Sequence, residues 1–587
     1  MTGVRKVIYR DNLHHATGTT YDNTSTSFLK ASSANNWTMS YNVTTGGRIT
    51  GPNVGSDAYL TNVSTNSFTE PSQAIFECAG EAQVIGAGMG MLFMADGDAA
   101  GFTNAYRVFL DGSSLFIQKT TNGGSSWNLI GQTSYAAVNN TVYHFRVYYS
   151  GSALSFYGKN LGFTAGRFYV WVDTDRNTIN EGDYDLTATD GSPLTSGGYM
   201  GFYQGINAIG TFDYLGCFRL WELGVEDIEY VHEMDEDSIA TVKFERHPDQ
   251  YQQYWVEDDK AEIWVTEANR TDSKLETRLT FFGRVERTPE FSARSRINLI
   301  GLTAELGQLN WQNGSAFTGT VEAALQDILP EDGGTEGATT SMTDCFYAHR
   351  NNISLTGNTT NRFVQGGNAR TEVKKILKEE GGFTFMHPDG RFFIRNTLVN
   401  ASQTLDTSDS DVNFVGVRQL RDATQIVNDV DVYYNGWTTP SNSNDGTSRS
   451  AYSNRGGQVV DMMSQGSTQA GNVASATTGE YAGSPTIAIV SLAQQRFDIL
   501  PGHRIDAIIA GTEIGTNATG TIPDSTVGNW SAESCTCTRV EYKMTDGIHR
   551  IVLVKNDQGS PNEPLYRSIG NKASVADNVV NLYSLDT

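Results

Sequence analysis

The densest set of oxygen ligands in the chain runs from Asp173 to Asp185, reading DTDRNTINEGDYD. Calcium takes roughly six to eight oxygens, and a D-x-D-x-N start supplies them from alternate positions. Asp173, Asp175, Asn177 and Asp183 are therefore the candidate metal ligands, with calcium the ion that fits their chemistry. The match to a helix-loop-helix calcium loop fails: Thr178 stands where glycine is needed and Tyr184 where a bidentate acid is needed. A solvated acidic loop between strands is the other reading. Sugar recognition asks for aromatic rings to stack on, with Asn or Asp beside them; Trp37, Trp127, Trp171 and Tyr203 are the candidates, against the default that sandwiches bury such rings. Glycoside hydrolysis with retention needs two carboxylates about 5 to 5.5 Å apart. Glu77 and Glu81 lie on one side of an extended segment, too far apart to pair without a bend. Cys535 and Cys537 share one face of a strand but have no Cys or His partners at ligand spacing. The sequence contains no G-x-S-x-G, H-E-x-x-H or G-x-x-x-x-G-K-[ST]. No catalytic residues are assigned, no enzyme activity is expected, and no cofactor beyond the calcium candidate.

The totals point the same way. At 587 residues the chain has room for three or four domains at roughly 150 residues each. With 60 Gly, 13 Pro and 18% charged residues it has the profile of a strand-and-turn protein. A formal charge of −24 repels nucleic-acid phosphates and anionic lipid. Only 13 of the 42 basic residues are Lys; acid excess with few Lys suits either a halophilic source or an ordinary acidic extracellular surface. Five cysteines form no regular disulfide framework. The N-terminal MTGVRKVIYRDNLHH has no apolar core, so no signal peptide is expected, and the window 74–95 is broken by Glu77 and Glu81, so no membrane insertion is expected. A chain made in the cytoplasm would then reach the outside by lysis or within a particle.

The elements that must position these residues are strands. Residues 1–223 hold alternating segments parted by Asp-Gly, Ser-Gly and Gly-Gly turns. The pieces Tyr106 to Leu110, Phe145 to Phe156, and Gly201-Phe202 through Phe212-Asp213 follow one another in an order that resembles the laminin-G or concanavalin-like jelly roll. Between 225 and 309, Ile239, Val242 and Phe244, then Ile263 and Val265, then Phe282 and Val285 alternate with polar neighbours. Gly283 marks a bend or a close backbone approach. The F-x-G-x-V turnover and the following NLIGLTAEL resemble the first barrel of the tail hub (baseplate hub) proteins of tailed viruses and related injection machines.

The expected fold is therefore mainly β: an N-terminal jelly-roll β-sandwich, then hub-type β-barrels with a small inserted α/β domain. The expected boundaries are 1–223 for the jelly roll, 225–310 for the first barrel, 320–426 for the α/β domain, 427–556 for the second barrel and 557–587 for a tail. The α/β domain would hold helices at 321–329 and 370–380 and a hairpin around Pro388-Asp389-Gly390. The polar stretch 438–457 reads as an exposed loop, and a hairpin turns at Asp546-Gly547. The resemblance implies a virion protein at the tail tip, a homotrimer whose paired barrels make a pseudo-sixfold ring. Its partners would be tail tube, distal tail and spike or fibre proteins, with genome DNA passing unbound and host-surface glycans met by the jelly roll. An extracellular carbohydrate-binding adhesin is the alternative.

Overall fold

The computed structural model describes residues between Gly3 and Lys555, leaving out, among shorter gaps, 12–19, 22–27, 31–36, 63–72, 245–254, 308–316, 321–347, 510–529 and 556–587. The expected helix at 321–329 and the tail at 557–587 lie outside the described residues. The fold is mainly β, and no described helix is long and apolar enough to cross a membrane.

The first unit is a jelly-roll sandwich. One sheet has seven strands in the order Asn128–Ser134, Ser114–Thr120, Ala105–Leu110, Met89–Ala95, Tyr199–Gln204, Ala58–Asn62, Phe28–Lys30, all antiparallel. The facing sheet runs Leu186–Thr189, Arg167–Asp173, Thr141–Ser150, Gln73–Val84, Ile209–Arg219. Alternation sends Tyr106, Val108 and Leu110 from one sheet, and Phe76, Phe145 and Phe212 from the other, into a shared core. Each such side chain contributes about 1.5 to 3 kcal/mol on burial.

The Gly3–Asp11 strand belongs to two sheets. Its second half pairs with Leu215 to Phe218 of the sandwich, and its first half, Gly3 to Lys6, pairs with Ala261 to Trp264 of the next unit. A register shift between Val7 and Tyr9 marks the hand-over. Jelly roll and first barrel sheet are thus one hydrogen-bonded ladder.

That next sheet follows the order Lys260–Ala268, Leu275–Val285, Arg296–Ile300, Ile239–Phe244, Val225–Glu233. Ile228, Val242, Ile263, Phe281 and Leu299, one from each strand, meet in one core, so the sheet wraps around itself. Gly283 is where two backbones touch: a β-carbon there would collide with the Ile300 carbonyl oxygen. Val225–Glu233 then pairs with the end of the long strand Trp530–Lys543. The same strand also runs beside His503–Ile509 and Ile548–Lys555, which continue to Thr486–Leu492 and Phe414–Arg421. A second wrapped core forms from Leu405, Val490, Ile505, Cys535, Cys537 and Leu553, with both cysteines on one face. The two barrel-like sheets therefore share a strand.

Two expectations change. Val399–Asp406 and Phe414–Arg421 fall in the stretch read as the α/β domain, yet they pair with His503–Ile509 and Thr486–Leu492 and belong to the second wrapped sheet. The stretch 438–457 is no loop: Thr439–Asn444, the helix Gly446–Tyr452 and Gly456–Val460 fold against Asp429–Tyr434 as a small separate sheet. Polar residues hide this because backbone ladders and one amide hold it. Buried Asn428 donates through Nδ2 to Ser448 Oγ (3.0 Å) and the Ser453 carbonyl (2.9 Å) and accepts from the Arg455 N–H (2.8 Å). The hairpin Phe383–Met386 with Phe392–Arg395 forms as read, with Gly390 at φ 85°, a conformation glycine permits.

Candidate functional site

Alternation places a second set of side chains on the outer face of the seven-stranded sheet. Where Tyr106, Val108 and Leu110 point inward, Arg107 and Phe109 point outward; Phe116 and Gln118, Tyr203, and Tyr59 do the same from neighbouring strands. Two loops lean over this face, bringing Phe102 and Trp127. Tyr59 stacks on Trp127 at 6.1 Å and lies 5.5 Å from Tyr203, while Phe109 stacks on Phe116 at 5.0 Å.

Arg107 stands at the centre, 7% exposed. Its guanidinium carbon is 4.2 Å from the Trp127 ring centre, 4.5 Å from Tyr203 and 5.0 Å from Phe109. Nε donates to Gln118 Oε1 (2.9 Å), and Nη1 donates to Asp57 Oδ2 (2.7 Å) and Tyr59 Oη (3.0 Å). Asp57 also accepts from the hydroxyls of Tyr59 (3.3 Å) and Tyr203 (3.2 Å). Burial raises the pKa of both phenols, more than Arg107 lowers it, so each stays protonated and donates. The arrangement is a neutral donor–acceptor pair set in an aromatic frame, with Trp127, Phe116, Gln118 and Asp57 half-buried at its rim.

Two of the four aromatic candidates, Trp127 and Tyr203, thus meet at one place. Trp37 does not join them: it is fully buried between the sheets, 5.9 Å from Phe212, and no sugar can reach it. Trp171 lies on the other sheet, buried against Tyr148 at 4.7 Å in the cluster that also holds Trp264. The two corrections have different causes: alternation turns Trp37 into the core between the sheets, whereas Trp171 takes the outer face of its sheet and is covered there by Trp264 and Leu279 of the next unit. Asp173 sits beside the Arg146 guanidinium at 3.9 Å, while Asp175, Asn177 and Asp183 lie outside the described residues. Arg107, Asp57, Tyr59 and Gln118 were missed, although the inward Tyr106-x-Val108-x-Leu110 pattern already implied that Arg107 faces outward.

A second charged cluster lies at the junction of the two units. Arg5, on the shared strand, donates from Nη1 to Glu77 Oε1 (2.7 Å) and from Nε to Glu262 Oε2 (2.8 Å). Arg146 Nε reaches the same Glu77 oxygen at 2.6 Å. The four side chains are buried, and the Arg5 guanidinium lies 3.8 Å from the Phe218 ring and 4.7 Å from that of Trp264. Burial would raise the Glu77 carboxyl, but Arg146 and Arg5 hold it well below the usual carboxylate range. This cluster is closed to solvent and serves as a joint. It also explains why Glu77 and Glu81 make no acid pair: Glu81 binds Arg48 at 2.9 Å instead.

No family model matches the sequence, and no curated protein matches it. Solved structures with a similar course of chain include a tail protein from Neisseria meningitidis, at 13% identity and a TM-score of 0.40, covering 58% of this chain and 95% of that one. A prophage tail protein from Shewanella oneidensis is similar at 12% identity and TM-score 0.40, over 58% of this chain and 95% of that one. A carbohydrate-binding module from Bacillus subtilis is similar over 34% of this chain and 96% of its own length, at 16% identity and TM-score 0.23. At these scores the likenesses carry no argument about family or function.

Proposed function

We propose that the chain is a structural virion protein. Residues from about 225 onward build a homotrimeric hub at the distal end of a viral tail tube, and the jelly roll faces outward to contact a tail protein or a host glycan. The observation that carries this reading is the shared strand Trp530–Lys543, which makes one body of the two wrapped sheets. The Gly3–Asp11 strand then ties the jelly roll to that body. A part that bears load at a tube end needs joints without hinges, and wrapped sheets offer few edges for stray pairing. One repeated heterologous contact closes such bodies into a ring. The acidic balance suits a passage that DNA crosses without sticking. The reading assigns no catalytic step and places the protein at the tail tip, bound to tail tube, distal tail and spike or fibre proteins.

A carbohydrate-binding adhesin is the second reading, favoured by the Arg107 face. Light scattering on the purified chain separates the two. The hub requires a particle of three times 64.1 kDa, with a threefold ring and central passage in electron micrographs. A monomer at every concentration tested overturns it.

A further inference from the structure

We infer that the outer face of the seven-stranded sheet binds a neutral, hydroxyl-rich glycan, gripped by Arg107 and Asp57 beneath the Trp127 ring; this rests on the outward role proposed above for the jelly roll. A guanidinium carries five N–H donors. In Arg107, Nε and Nη1 are engaged by Gln118, Asp57 and Tyr59, whereas Nη2 has no hydrogen-bond partner among the described residues. Nη2 is not closed off from solvent by the described residues, so its two donors open to water from a side chain otherwise only 7% exposed. A ligand oxygen would accept from them.

The class of ligand follows from what surrounds those donors. Asp57 lies 2.7 Å from Nη1, so any group reaching Arg107 also meets a carboxylate. Its side chain is 32% exposed and can accept from an incoming hydroxyl. Neighbouring sugar hydroxyls each donate and accept, and a donor beside an acceptor is what such a pair needs. An anion finds no such match: the Arg107–Asp57 pair is neutral, and the chain around it carries −24. Uronates, sulfated glycans and phosphate polymers are thereby disfavoured. Half-buried Trp127 and Phe116 supply faces for the C–H side of a sugar ring. Tyr59 and Tyr203 hold Asp57 in place by donating to it, so the grip is formed before the ligand arrives.

The test uses the full chain on an array of neutral glucans, fructans, mannans and galactans beside polygalacturonate, heparin and teichoic acid. Calorimetry then follows with the best neutral oligosaccharide. Binding is expected to neutral glycans alone, weakened at least tenfold in Arg107→Lys, which keeps the charge and loses the planar fork, and in Trp127→Ala. Trp127 is at the rim, so that variant tests the site even if Arg107→Lys misfolds. A silent array, binding confined to anions, or wild-type affinity in Trp127→Ala overturns the site. Light scattering on the same sample keeps the two readings apart: a trimer on a silent array removes the glycan site and leaves the hub, and a monomer that binds neutral glycan does the reverse.

Discussion

Replacing Arg5 by Met removes the cation that bridges the two units while keeping a long apolar side chain against Phe218 and Trp264. Glu77 retains Arg146 at 2.6 Å, but Glu262, buried to 1% exposure, loses the guanidinium 2.7 Å away. Breaking a buried pair from one side costs roughly 3 to 5 kcal/mol, because a carboxylate is left in a dry site. A chain of this size is not two-state, so the cost is read locally. Hydrogen exchange at residues 3–6 and 261–264 reports opening of the shared ladder, and its opening free energy should fall by about 3 kcal/mol. Amides of the seven-stranded sheet should be unchanged. Adding Glu262→Gln removes the stranded charge, so the double variant should cost less than the two single costs together, by about 1.5 kcal/mol or more. Unchanged exchange at residues 3–6 in Arg5→Met, or strict additivity in the double variant, would refute a joint held by this charge pair.

Acid should loosen the wrapped sheets before it reaches the carboxylates. His232 is buried with its pKa lowered to about 4, and His549 likewise to about 3, in each case mainly by burial. Their unfolded forms take up protons below about pH 6.5, so the contribution of these two histidines is constant above pH 7 and stability falls as pH drops from 6.5 towards 4. The loss is on the order of 3 kcal/mol for His232 alone, read as the local opening free energy of the wrapped-sheet amides by hydrogen exchange against pH; a flat profile from pH 7 to 4.5 counts against it. Gly283→Ala should destabilise the first wrapped sheet by about 2 kcal/mol or more through the clash with Ile300, seen as faster proteolysis between 225 and 300. Asn428→Ala should open the small sheet 429–460 at a cost of about 2 to 3 kcal/mol in local exchange, leaving the wrapped cores intact.

Period-two alternation made the strands legible, and turn chemistry gave the hairpins at Pro388 to Gly390 and at Asp546-Gly547. Gly283 was readable because a glycine within an apolar strand signals a close backbone. Sheet membership was not readable. Val399–Asp406 pairs with a strand about a hundred residues further on, in parallel, and nothing in its own sequence names that partner. The small sheet at 429–460 was hidden because its edge strand, TPSNSN, is polar on both faces and gains its stability from the ladder and from Asn428. At the candidate site, ring type alone pointed equally to Trp37, Trp127, Trp171 and Tyr203. Only the side of the sheet separates the buried from the reachable ones, and that depends on which neighbour covers each face.

The two sheets of the jelly roll have different fates on their outer faces, and this gives the unit a direction. The face carrying Ile75, Tyr148, Trp171 and Phe218 is spent on the barrel, packed against Trp264 and Leu279 and pinned by Arg5. The opposite face, with Arg107 at its centre, has no such cover among the described residues. The two faces lie on opposite sides of the sandwich core, so contact through one cannot obstruct the other. In the proposed hub, the buried joint fixes how each jelly roll stands on the ring, and the Arg107 face must then look away from the body that holds it. A flexible tether would let the same face point anywhere, and would need neither the register shift between Val7 and Tyr9 nor a buried arginine to bind the two units.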